Sequence, residues 1–153
     1  MIIRFDEHFR LPVAEVYSYF ESPADWTRLY GFAGDLKDLG GGWFAIALKR
    51  FPFPLVARNT EQETNEYVRW LFRGFWRGRG EVRFEETSDG VTVAGFEEIA
   101  VRPLFVLSPI FERLFFERAF HAIWEIGWHR LRKRESQLEH PRTSNAANAN
   151  ISF

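Results

Sequence analysis

From Arg69 to Glu85 the chain keeps a two-residue beat that few folds accommodate. Arg69, Leu71 and Arg73 fall on one side of an extended chain, and Trp70 and Phe72 on the other. Beyond the glycines of GFWRGRG, Glu81, Arg83 and Glu85 fall together, with Val82 and Phe84 opposite them. A strand turns successive side chains to opposite faces, so this is the pattern of an antiparallel hairpin with one buried face. The stretch RWLFRGFWRGRG also has the arginine and aromatic content of segments that stack on single-stranded nucleic acid. Stacking, however, needs rings and guanidinium groups on the same exposed face. Here they are segregated, and Glu81 and Glu85 offset the arginines across the strands. The reading is therefore a core hairpin and no nucleic-acid partner. Arg77 and Arg79 fall at the bend and have no assigned part.

The rest of the chain extends this sheet. IIRFDEHF (Ile2–Phe9) reads as a strand. LPVAEVYSYF then turns helical, with Pro12 in the first turn and Val13, Val16, Tyr17 and Phe20 on one face. A second short helix has Ser22 as N-cap, Pro23 at the first position, Asp25 near the positive end and Gly31 as its stop. GFAGDLKDLGGG is expected as a loop or irregular turn. WFAIALKR reads as a strand with Phe44, Ile46 and Leu48 on one face. The prolines of FPFP exclude it from a sheet and make it a hairpin tip. LVARNTEQET, EYVRWLFRG, GRGEVRFEE and VTVAGFEEIAV complete the strands, with a turn at TSDG and a bulge anticipated at Gly95.

Ser108 and Pro109 form the clearest helix start in the chain, N-cap followed by first position. Beyond them Phe116, Phe120, Ile123, Trp124, Gly127 and Leu131 make one stripe, with Trp128 at its edge. This stripe must pack on the sheet. Gly127 within it costs about 1 kcal/mol against Ala, which points to close approach by a strand or a ligand, or else to a slight kink. Arg130, Arg132, Lys133 and Arg134 are placed at the negative end of the helix. Leu114, Phe115 and Ile126 fall off the stripe and call for a cover, either the 103–107 loop or a second subunit.

At 153 residues the chain is one domain. We place its folded part at residues 1–136 and expect residues 137–153, polar and low in complexity, to be disordered. Aromatic residues are 18% of the chain, with 17 Phe and 6 Trp, which suggests a bulky apolar interior or an apolar cavity. Twenty basic against 21 acidic residues leave a net charge of −1, which gives no general pull toward phosphate. The absence of cysteine excludes disulfides and thiolate chemistry and fits a cytoplasmic setting. No signal-peptide core is seen at the start, and apolar runs break well short of the ~18 residues of a membrane span.

Candidate chemistry is sparse. His121, Glu125 and His129 are spaced four apart, but they do not converge on one point and share their face with Arg118 and Arg132, so no metal is expected there. Arg113 and Glu117 lie one turn apart on the inward side. They read either as a helix-entrance ion pair or as a polar cavity mouth that orients a head group. GGGW is no phosphate loop, and no GxSxG elbow exists. Asp25, Tyr30, Glu117 and His8 could serve as acid or base, none of them specifically. In RFPFPL, Phe51 and Phe53 either fold back over the open end of the domain or form an exposed dock.

The order of strand, two short helices, meander and long helix, with LPVAEVYSYFESPADWTRLYG early and GRGEVRFEETSDGVTVAGFEEIAV before the last helix, resembles the START-like, helix-grip superfamily. That group includes polyketide cyclase/dehydrase-like and Bet v 1-like proteins, and the resemblance covers roughly residues 2–135. It implies an α+β fold in which a curved antiparallel sheet of six or seven strands wraps a long C-terminal helix. It also implies an apolar cavity between them that takes lipids, polyketides or other aromatics. By pattern the lining would be Phe44, Ile46, Trp70, Phe72, Phe84 and Phe96 from the strands, and Phe116, Phe120, Ile123 and Trp124 from the helix. No catalytic residue and no cofactor is implied. The expectation is a protein that binds a hydrophobic small molecule. A cyclase/dehydratase-type enzyme is the alternative, and so is a protein-interaction module with a filled core. That module would be dimeric or partner-bound through Phe51, Phe53, Leu114 and Phe115.

Overall fold

The computed structural model describes residues 1–31, 35–48, 51, 53–101 and 109–140, without the side chains of 109–113. Seven antiparallel strands form one sheet: β1 (Ile2–Phe9), β2 (Leu36–Gly40), β3 (Trp43–Ile46), β4 (Leu55–Glu63), β5 (Tyr67–Arg73), β6 (Trp76–Thr87) and β7 (Gly90–Val101). Their order is β1-β7-β6-β5-β4-β3-β2, a meander from β2 to β7 closed by β1 at the far edge. Two short helices, α1 (Val13–Ser18) and α2 (Pro23–Tyr30), follow β1, and α3 (Pro109–Glu139) lies over the sheet. This is the helix-grip architecture of the α+β class.

Local chemistry sets the ends of α2. Ser22 accepts a hydrogen bond from the Asp25 amide, Pro23 begins the helix, and Gly31 closes it with a left-handed φ of 69°. α3 then packs on α2. A Cβ on Gly127 would stand 3.0 Å from the Tyr30 ring and 3.2 Å from Leu29. The close approach expected at Gly127 is therefore made by a helix, and neither a strand nor a ligand accounts for it.

The hairpin keeps the expected phase. Val68, Trp70 and Phe72 of β5 are buried, as are Val82 and Phe84 of β6, while Leu71, Arg73 and Arg83 are exposed. Arg69 bonds Glu61 at 2.7 Å and Glu81 at 2.6 Å, and Arg83 pairs with the same Glu81. The bend lies at Gly74–Phe75, earlier than expected. Arg77 and Arg79 thus belong to β6, and Arg79 pairs with Glu98 at 3.2 Å.

Several expectations are corrected. Leu36–Gly40, expected as loop, is an edge strand whose five residues are all exposed. Such a strand carries no apolar alternation to mark it. β3 ends at Ile46, well before Arg50. α3 runs to Glu139, so its last turn holds no basic residue. Its arginines instead tie the helix to its surroundings, Arg132 to Glu7 at 2.8 Å and Arg134 to Glu15 at 2.7 Å. Ser108, the loop expected at 103–107 and residues 141–153 lie outside the described residues.

The core sits between sheet and helices and is mostly rings. Trp76, fully buried, meets Phe116 and Phe120 of α3 edge-on at 5.2 Å each. Trp124 stacks on Phe5 at 4.4 Å and on Trp128 at 5.1 Å. Rings of this size bury about 150–250 Å² apiece, and such pairs add about 0.5–1.5 kcal/mol beyond area burial.

Candidate functional site

In β7 the buried positions are Val91, Val93, Glu97 and Ile99. The two-residue beat carries Glu97 into the core, where it is the one buried charged side chain among the described residues, 6% exposed. Gly95 makes no bulge. It pairs with Phe5 and Val82 in unbroken ladders on both sides. A Cβ on Gly95 would lie 2.0 Å from the Glu81 carbonyl oxygen, so the glycine serves close strand approach. Phe96, expected in the cavity lining, consequently stands on the outer face, with the Arg79 guanidinium 5.8 Å from its ring centre.

The Trp124 indole N–H donates to Glu97 Oε2 at 2.7 Å. The Trp70 indole packs closely against Gly80, the residue paired with Glu97 across the ladder. Its N–H helps to steady the ionised carboxylate without forming a well-aligned hydrogen bond. The Trp26 indole N–H, also buried, has no acceptor among the described residues. No ion pair to Glu97 is formed among them either. Burial raises the Glu97 carboxyl to about 7, against the lowering pull of the two indole donors. Tyr30, half-buried as a residue, has its hydroxyl pushed well above the usual range by desolvation and then by the charge of Glu97.

Glu97 faces a cavity of about 20 Å³, as traced by the centre of a water-sized sphere. That is room for about one water, so among the described residues this part of the grip is nearly filled by side chains. Six rings line it, those of Phe20, Trp26, Tyr30, Trp70, Phe120 and Trp124, and Ile46, Leu48, Leu55 and Ile123 close it. Among the described residues the lining contains no basic residue. Chemically the site is an aromatic cage with a single carboxyl, able to hold an apolar body and one hydrogen-bonding or charged group.

Of the residues expected to line the cavity, Ile46, Trp70, Phe120, Ile123 and Trp124 do so. Phe72 and Phe84 are buried but pack elsewhere, against Trp26 at 6.2 Å and against Phe20 and Tyr17 at 5.6 Å each. Phe44 is half-buried, and Phe116 packs on Phe51 and Trp76 at the end of the core. The Arg113 side chain lies outside the described residues, and Glu117 is half-buried. Phe51 is no exposed dock. It is half-buried, with Trp76, Phe116 and Phe120 within 6.0 Å. Phe53 remains 36% exposed and stacks on Phe75 at 4.1 Å. Asp25 donates its amide to the Ser22 cap of α2 and accepts the Ser22 hydroxyl at 2.7 Å, and His8 pairs with Asp89 at 3.2 Å on the surface.

Neither a protein-family model nor a curated protein matches this chain. Solved structures do. TTHA0849 from Thermus thermophilus aligns with a TM-score of 0.67 at 13% identity, over 90% of this chain and 99% of its own. XoxI from Bacillus cereus gives 0.65 at 14%, over 91% and 98%. The Aha1 dimer from Colwellia psychrerythraea gives 0.62 at 11%, over 93% and 98%. What these proteins share with the chain is the fold. At such identities the likeness carries no activity.

Glu97, Tyr30, Trp26, Phe20, Leu48 and Leu55 were absent from the expected lining. Glu97 had a signal: holding the beat of Val91 and Val93 through Gly95 places it inside. A bulge would have turned Phe96 inward instead, and on hydropathy alone the ring is the better core residue. Trp26 and Tyr30 reach the cavity through the docking of α2, which no local pattern encodes.

Proposed function

We propose that the chain is a START-like binding protein. It holds the apolar body of a small hydrophobic or aromatic molecule between sheet and α3, and Glu97 engages the ligand's polar end. The observation that supports this reading is a buried carboxyl without an ion partner among the described residues, placed in a ring-lined cavity. A core built only for stability has no use for it, because burying a carboxyl costs more than an apolar residue of similar size. The cavity is small, so a ligand larger than a water needs side chains to move, and Phe51 at the Phe120 end is the half-exposed ring best placed to do so.

Tryptophan fluorescence titrated with phenol, indole, hexanol and decanoate tests the reading, because Trp26, Trp70 and Trp124 report on the cavity. A saturable change with at least one compound is expected. No change with any of them, in wild type or in Phe51→Ala, would contradict it.

A second reading, a cyclase/dehydratase-type enzyme, is favoured by one observation. A carboxyl held near 7 is poised to give or take a proton at neutral pH. Turnover that Glu97→Gln abolishes while binding persists would distinguish it. A partner contact is a separate proposal. Leu114 is 56% and Phe115 51% exposed on α3, and Leu114→Glu should lower the solution mass by light scattering if this face joins two copies.

A further inference from the structure

We infer that the ligand's polar end is a cation, a small alkyl or arylalkyl ammonium group, which takes Glu97 as its counter-ion inside the aromatic cage. The inference rests on the binding reading above and narrows it to a chemical class.

Two features of the cavity choose charge and sign. The first is the set of donors around Glu97. Trp124 donates to Oε2 at 2.7 Å, and the Trp70 N–H adds its pull. Donors aimed at a carboxyl favour its ionised form. A site shaped to keep Glu97 neutral would offer acceptors instead. The Trp124 bond goes to Oε2, and no hydrogen bond to Oε1 is found among the described residues, so Oε1 is the oxygen placed to accept from a ligand. The second feature is the wall. Six rings line the cavity and, among the described residues, no Lys, Arg or His does. The faces of aromatic rings are electron-rich and attract cations, at about 0.5–1 kcal/mol when exposed and about 2 when desolvated. An anionic ligand would meet rings and carboxylate together. An uncharged oxygen could pair with the Trp26 N–H, which has no acceptor among the described residues, but would leave the charge on Glu97 uncompensated. A bound ammonium compensates it, and the present volume takes the head group first.

The direction of the pH dependence follows from the groups that face Glu97. Across the ladders these are Gly80 of β6 and Ile3 of β1, and from other elements Trp70, Trp124 and Tyr30. Only Tyr30 titrates among them, and it stays neutral well above pH 7. Cation binding therefore favours loss of the Glu97 proton, and affinity should rise with pH through about 7. A ligand that accepts a hydrogen bond from protonated Glu97 would show the opposite slope.

The test uses three compounds of matched size, butylammonium, butanol and butyrate. Each is titrated into ¹⁵N-labelled protein while the indole N–H signals of Trp70 and Trp124 are followed. Butylammonium should bind tightest of the three, and its affinity should rise roughly tenfold between pH 6 and pH 8 as Glu97 ionises. In Glu97→Gln, which should fold at least as well, the advantage over butanol should vanish. Butanol or butyrate binding more tightly than butylammonium, or butylammonium affinity falling with pH, would overturn the inference and leave the binding reading intact. Silence from all three in wild type and in Phe51→Ala would remove both.

Discussion

The Trp124 indole N–H reaches the Glu97 carboxylate at 2.7 Å and so joins the middle of α3 to β7 through a buried charge. This bond lies where helix and sheet are pressed together by stacked rings, and it makes the stability of the grip depend on pH.

Glu97 ionises at about 7 in the fold and at an ordinary 4.5 in the unfolded chain. Between these values the folded state holds more protons than the unfolded one. Stability should therefore fall as pH rises from about 4.5 to about 7 and then level off. Glu97→Gln removes this titration. By pH 8 the variant should exceed wild type by at most roughly 3 kcal/mol, and the two should converge only below the unfolded-state value of 4.5. Urea denaturation across that range checks the sign and the size.

Trp124→Phe keeps most of the ring and removes the donor. With the indole gone, the ionised carboxylate loses a bond, so Glu97 should titrate above 7. A hydrogen bond to a charged group is worth about 1.5–3 kcal/mol. The variant should lose more stability at pH 8 than at pH 5. A purely steric defect would cost the same at both.

Gly80→Ala should damage the site from the opposite wall. A Cβ there would fall 2.3 Å from the Trp70 indole, which must then move away from Glu97. Overpacking of this kind costs about 1–3 kcal/mol. The near-ultraviolet circular dichroism of the tryptophans should change along with the denaturation midpoint.

Phe51→Ala removes a ring that packs against Phe116, Phe120 and Trp76. Because Phe51 is half-exposed, the loss should fall at or below the usual ~3–5 kcal/mol of a buried Phe→Ala change. The space opened at the Phe120 end should strengthen binding of longer apolar compounds, measured by tryptophan fluorescence.

The fold was legible in the sequence because its signals are local. Trp70 and Phe72 against Arg69 and Arg73 set the face of the sheet. Ser22, Pro23 and Gly31 set α2, and the stripe from Phe116 to Leu131 set the packed face of α3. The site was legible only in half. Ile46, Trp70, Phe120, Ile123 and Trp124 follow from the beat of their own elements. Trp26 and Tyr30 depend on α2 meeting α3 at Gly127, a contact between segments far apart in the chain. Glu97 was hidden by its chemistry. Hydropathy argues against burying a carboxylate, so Phe96 next to it looked the better core residue, although strand phase favoured Glu97.

A carbon-13 NMR titration of the Glu97 side-chain carboxyl, alone and with saturating butylammonium, tests the central claim most directly. A midpoint near 7 that moves to lower pH when the cation is present is the predicted result. A midpoint near 4.5 that ignores the cation would mean that Glu97 is solvated and that the grip has no polar floor.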